Sequence, residues 1–281
     1  MSEDKYCLPI INTIELFPII NRALIELLED LNLSDWNKET VIPHRSVKDI
    51  VSHILHGSLR RLSLCRDNYQ PDNPDINSYD KLINYIQNQN RTWIEASKFI
   101  SSKLLISLLE NSEQELYEYF STLKNDDKAK FSVAWAGELE SANWFDIARE
   151  YTEKWHHQMQ IRLAVNKPGI DSSKLFHPVL DTFMRGLPHV YQQIKAEIGS
   201  SIEITITGCG GGRWFLEKTS EEWRLTKELS SEPLAKIEIS DSLAWRMFTD
   251  SIDLNLAKEK TCITGNQELG RELFKLKAVM R

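Results

Sequence analysis

Apolar residues recur at helical spacing through the first half of the chain, and further on the pattern switches to strict alternation in Ile202-Glu203-Ile204-Thr205-Ile206-Thr207. A period of 3.6 buries one stripe of a helix and a period of 2 buries one face of a strand, so a single repeating element cannot satisfy both. The pattern predicts a helical N-terminal part followed by a small part built on a sheet. With 281 residues the chain is long for one domain and comfortable for two. Lys167-Pro168-Gly169 marks the expected seam, giving domains over 1–168 and 169–281.

Within the first part, helical patterns run from Ile14 to Leu31, with Pro18 in the first turns, and from Ser46 to about Arg66. Ser46 is a natural N-cap, and Asp49 three residues on completes a capping box with Asp in place of Glu. Val47, Ile50, Val51, Ile54, Ser58, Leu62 and Cys65 form that helix's inward stripe. Trp36 to Arg45 reads as a connector, and Asn68 to Asp75 as a loop by its Pro, Asn and Asp content. Further helices are expected over about Ser78–Ile100, over Ser102–Leu123 with a break allowed inside it, and over about Asn143–Val165. Phe131–Trp135 reads as a short extended piece. Long helices joined by loops predict an antiparallel four-helix bundle.

The second part is expected to open with a helix over about Pro178–Ile198. Strands follow at 202–207, Trp214–Lys218, Trp223–Thr226, Ala235–Ile239 and Thr261–Thr264. Helices are expected over Asp241–Phe248, capped by Ser240 or Asp241, and over Gln267–Met280.

Composition narrows the function classes. Lys and Arg number 34 against 41 Asp and Glu, a net charge of -7, so a nucleic-acid backbone is not the expected partner. No stretch approaches the roughly 20 apolar residues a bilayer helix needs. The opening Met1-Ser2-Glu3-Asp4-Lys5 lacks a secretory pattern. Cys7, Cys65, Cys209 and Cys262 have no paired spacing and read as reduced thiols of a cytoplasmic protein.

Chemistry concentrates in Glu153-Lys154-Trp155-His156-His157. Four residues turn through about 400° on an α-helix, so Glu153 and His157 stack on one face and can offer one cation two ligands. His53, on another helix, is a candidate third ligand, and three protein ligands leave room for water or substrate. By spacing alone the Glu–His pair reads more readily as a surface contact, which is common on helices. His156 and His56 each lie within one turn of a candidate ligand and stay open as alternatives. Arg162 is placed to anchor a substrate carboxylate in a bidentate fork, or to make a salt bridge at the end of the bundle. Gly208-Cys209-Gly210-Gly211-Gly212-Arg213 lacks the Lys-Ser/Thr ending of a nucleotide loop and reads as a hairpin turn. His177 and His189 have no partner at ligand spacing.

Trp36 with Val47-Lys48-Asp49-Ile50-Val51-Ser52-His53-Ile54 resembles the second-helix signature of the maleylpyruvate isomerase N-terminal family, within the DinB-like metal-binding four-helix bundles. Arg149-Glu150-Tyr151-Thr152-Glu153-Lys154-Trp155-His156-His157-Gln158-Met159-Gln160-Ile161-Arg162 resembles its fourth-helix signature. Asp181-Thr182-Phe183-Met184-Arg185-Gly186-Leu187-Pro188 and Thr264-Gly265-Asn266-Gln267-Glu268-Leu269-Gly270 resemble its C-terminal, sterol-carrier-like α+β domain. Gln158-Met159-Gln160 is less acidic than many relatives at that place.

The resemblance implies metal ligands at His53, Glu153 and His157, with zinc the default cation and nickel an alternative. It implies a low-molecular-weight thiol as cofactor (mycothiol, bacillithiol or glutathione) and an isomerase or S-transferase acting on a small electrophile, with Arg162 orienting a carboxylate. The thiolate would add to an activated double bond, the adduct would rotate, and the thiol would leave; in a transferase the adduct is the product. A non-catalytic metal-containing binding protein and a metal-dependent hydrolase, with Glu150 as base, are the alternatives. The expected assembly is a monomer or homodimer.

Overall fold

The computed structural model describes residues 8–279 apart from 73, 75 and 76. Cys7, the five N-terminal residues and Met280 therefore lie outside the described residues. The chain is mixed α and β and divides into two compact units. One comprises Ile14–Lys130 with Glu153–Ile170; the other comprises 8–13, Phe131–Thr152 and Asp171–Val279.

The first unit is helical. It contains α1 (Phe17–Glu29), the short α2 (Leu33–Trp36), α3 (Val47–Arg61), α4 (Tyr79–Ser97), α5 (Ser102–Ser121) and the second part of α6 (Asn143–Ala164). Pro18 stands in the first turn of α1, where its missing N–H costs no hydrogen bond. The capping box of α3 forms as expected: the Ser46 hydroxyl accepts from the Asp49 amide, and the Asp49 carboxylate accepts from the Ser46 amide. Asn32 and Asp35 make a second such box, which starts the short α2 between the expected first helix and the connector from Trp36. After α3 the chain continues through one π-helical turn, Leu62–Arg66. α5 is unbroken, because Leu105, Leu109, Leu116 and Phe120 hold one face inward throughout its length. The core joins α1, α3, α5 and the end of α6 through Leu24, Leu28, Val51, Leu55, Leu109 and Ile161. Each such side chain contributes roughly 1.5–3 kcal/mol by leaving water.

The second unit carries the first part of α6, then α7 (Ser173–Met184), α8 (Leu187–Tyr191), β1 (Ser201–Thr207), β2 (Gly212–Lys218), β3 (Trp223–Thr226), β4 (Ala235–Ser240), α9 (Asp241–Phe248), α10 (Leu254–Glu259), β5 (Cys262–Gly265) and α11 (Gln267–Arg271). The sheet order is β3-β2-β1-β4-β5, with β1 and β4 parallel and the other neighbours antiparallel. Ile202, Ile204 and Ile206 of β1 align with Ala235, Ile237 and Ile239 of β4, and all six are buried, as the period-two pattern requires.

Four local expectations are corrected. Residues 131–135 are not a strand: Ala134–Ala136 is a 3-10 turn ending at Gly137, and the Val133 amide donates to the Ser141 hydroxyl rather than to a ladder. The single helix expected over Pro178–Ile198 starts earlier, with Pro178 inside α7, and breaks at Gly186. A Cβ on Gly186 would lie 2.7 Å from a Leu276 methyl carbon, so close packing there excludes a side chain. The last helix is short: α11 passes into a 3-10 turn at Glu272–Lys275 and ends at the extended Leu276. α10 was not expected, and Asp253 caps it by accepting from the Asn255 and Leu256 amides. Cys209 and Cys262 are exposed free thiols, and Cys65 is partly buried. Among the described residues no helix is long and apolar enough to cross a membrane.

Candidate metal centre

Three of the candidate ligands come together within the helical unit. One ligand atom from each of Glu153, His156 and His157 lies within 4.8 Å of the others. Nε2 of His157 is 3.6 Å from Oε2 of Glu153, so the i,i+4 pair faces one point. His53, carried by α3, meets His157 edge-on with ring centroids 4.8 Å apart. The rings of His156 and His157 are 4.1 Å apart. His156 is buried, whereas His53, Glu153 and His157 are partly exposed.

His56 is turned elsewhere. Its Nδ1 donates to Asn90 Oδ1 at 3.1 Å and its ring stacks on Trp93, 5.4 Å between centroids. Of the two residues that spacing left open, the structure gathers His156 with the candidate ligands and sends His56 toward α4.

One contributor was not anticipated. Nδ1 of His157 donates to Oε1 of Gln160 at 2.8 Å, one turn further along α6. With the proton on Nδ1 this bond forms, and the Nε2 lone pair is left on the Glu153 side. Gln160 was noted in the sequence only as a departure from an acidic stretch. Its i,i+3 spacing from His157 was the available signal.

One ring of the cluster resists protonation. Burial, followed by the neighbouring charge of His157, lowers the His53 pKa to about 3, opposed by the Glu153 carboxylate. A ring that resists protonation keeps its lone pairs at neutral pH. Imidazole nitrogens with one carboxylate are the donor set that zinc and its divalent neighbours accept, so the residues present fit such an ion.

Arg162 is placed differently from the expected substrate anchor. Its Nη1 donates to the Pro168 carbonyl at 2.8 Å and its Nη2 to the Ala23 carbonyl at 2.9 Å. Burial lowers its pKa. A fork engaged by two backbone carbonyls braces the end of α6 against α1. Glu150, considered as a hydrolytic base, is buried, with Oε2 3.8 Å from Nη2 of Arg149. His177 lies outside the cluster: its Nδ1 is 3.0 Å from the Gly211 carbonyl, and its ring stacks on Trp214.

No family model matches the sequence, and no curated protein matches it. Solved structures do match the fold. A mycothiol-dependent maleylpyruvate isomerase aligns over 92% of this chain and 93% of its own, with a TM-score of 0.54 and 10% identity. A variant of that enzyme with a histidine replaced by alanine aligns over the same shares, with a TM-score of 0.55 and 9% identity. Over nearly its whole length this chain therefore has the fold of mycothiol-dependent maleylpyruvate isomerase.

Proposed function

We propose that the protein is a metal-dependent enzyme that uses a low-molecular-weight thiol to isomerise a small electrophilic substrate, or joins that thiol to it as a thioether. The observation that carries this reading is the convergence of Glu153, His156 and His157, with His53 against His157, in a chain of this fold. The helical unit is taken as an antiparallel four-helix bundle of the DinB-like type, with α1, α3, α5 and α6 as its rods and α4 laid against α3. The sterol-carrier-like domain is taken to begin near Pro168.

Glu153, His157 and His53 are proposed as the ligands, with His156 the competitor for the third place. When bound, a divalent cation would stabilise a thiol as its thiolate at neutral pH. The chain's own residues prepare for this. Gln160 holds His157 with Nε2 unprotonated, burial keeps His53 neutral, and Glu153 supplies the one negative charge. Zinc fits first, and nickel is the alternative. Mycothiol, bacillithiol and glutathione are the thiols to test, and a small carboxylate-bearing electrophile such as maleylpyruvate is the substrate class. Arg162 enters as a brace for α6 rather than as a substrate anchor.

The test has two stages. Protein purified without chelator should carry close to one divalent cation per chain, and His157→Ala should lose it. Loaded protein is then incubated with each thiol and maleylpyruvate, with fumarylpyruvate followed by absorbance and thioether adducts by mass spectrometry. Full metal retention by His157→Ala would reject the site. A metal-loaded protein that forms neither product with any of the thiols would reject the chemistry.

A further inference from the structure

Beside the ligand cluster, α6 carries a buried charge. Lys154 follows Glu153 directly, is 4% exposed, and its ammonium donates to Glu113 on α5 at 2.6 Å and to the Ser58 hydroxyl on α3 at 2.8 Å. Ser58 donates in turn to the same Glu113 oxygen. The other Glu113 oxygen is buried with no hydrogen-bond partner among the described residues. Three helices thus meet at one ion pair in the interior of the helical unit.

Such a network is a poor source of stability. Desolvating two charges offsets most of their attraction, and an apolar set of similar volume is often as stable or more so. Its use is directional. A hydrophobic stripe tolerates rotation and sliding of a helix, whereas a hydrogen-bonded ion pair is satisfied in one position only.

The two ties between α3 and α6 share a register. His53 meets His157, and Ser58 meets Lys154. Five residues forward along α3 correspond to three backward along α6, so the two helices run in opposite directions. A slip of one residue on α6 would turn it by about 100° and swing Glu153 and His157 away from His53.

We infer that Lys154, Glu113 and Ser58 are positioning residues that hold α6 in the one azimuth at which Glu153 and His157 face His53. The inference rests on the metal-site reading for its purpose, and its geometry is testable without metal.

The test replaces the ion pair by apolar side chains, Lys154→Met with Glu113→Leu, in the full chain. The variant should fold, with far-UV circular dichroism and melting temperature close to the parent. In metal-free protein the parent should show a cross-peak between the His53 and His157 rings in nuclear Overhauser spectra, and the folded variant should lose it. Zinc affinity, measured by competition with a chromophoric chelator, should fall at least tenfold. A folded variant that keeps both the cross-peak and the parent affinity overturns the inference. A parent that shows the cross-peak and binds no zinc overturns the metal reading instead, and the cross-peak in the variant still decides whether the network sets the register. Should the double variant fail to fold, Ser58→Ala is read in its place: a folded protein with at least threefold weaker zinc binding supports the inference, and unchanged binding overturns it.

Discussion

His53 and His157 meet edge to face, their planes at 84° and their ring centroids 4.8 Å apart, although α3 carries one and α6 the other. Two imidazoles this close in a part-buried site repel any shared positive charge. One of them must remain neutral, and a neutral imidazole is what a divalent cation binds.

The first prediction concerns the tautomer. Gln160→Leu removes the acceptor of the His157 Nδ1–H and releases the ring. Outer partners of this kind typically govern about ten- to a hundredfold in metal affinity. Zinc binding should weaken by about tenfold with the fold intact, measured by chelator competition alongside circular dichroism. Unchanged affinity would show that the bond does not orient the ligand.

A second prediction follows from acid. The His53 pKa is lowered to about 3 in the folded chain, from 6.5 as the ordinary value. Between those values the unfolded chain binds the extra proton, so this stabilising contribution is complete above about pH 6.5 and shrinks as pH falls toward 3. Urea unfolding of the metal-free protein should show stability dropping between pH 7 and pH 5, with a shallower drop for His53→Gln. Equal slopes for the two proteins would contradict a His53 that stays neutral in the folded chain.

Lys154→Ala alone should be severe. It leaves the Glu113 carboxylate in the interior without its cation, a loss of about 3–5 kcal/mol for buried pairs. The exposed pair Lys98–Glu95 provides the contrast, and Lys98→Ala should be indistinguishable from the parent in the same urea titration. A mild effect at Lys154 would mean that water reaches Glu113.

Two glycines should respond in opposite directions. Gly57 lies within α3 with nothing within 4 Å of a built Cβ, so Gly57→Ala should raise stability by about 0.5–1 kcal/mol. A Cβ on Gly211 would lie 2.1 Å from the Ile206 carbonyl oxygen, so Gly211→Ala should lower the melting temperature through backbone displacement at the β1–β2 turn. Thermal unfolding of the two variants checks both signs.

Much of the chain was legible before any coordinates. The capping box at Ser46 and Asp49 and the alternation in β1 are local, and local rules placed them within a residue or so; Ser240 stands at the N-cap position of α9, though its side chain makes no capping hydrogen bond. Ser58 was legible too, as a polar member of an otherwise apolar stripe. Glu113 occupies the corresponding place among Leu105, Leu109, Leu116 and Phe120 on α5, a polar exception on an otherwise apolar face. The break at Gly186 was not legible locally, because that glycine packs against Leu276 and Trp135, remote in sequence.

The amino-acid order by itself determined the long helices of the first half and the five strands of the sheet, and that Glu153 and His157 share a face, since these follow from the period of the backbone. Only the tertiary structure decided that His53 comes to that face, that His56 goes to Asn90 and that Arg162 reaches the carbonyls of Ala23 and Pro168. Spacing along one helix fixes an angle about its own axis. Which neighbour stands at that angle depends on how several helices pack together, and here packing is settled by side chains far apart in the chain.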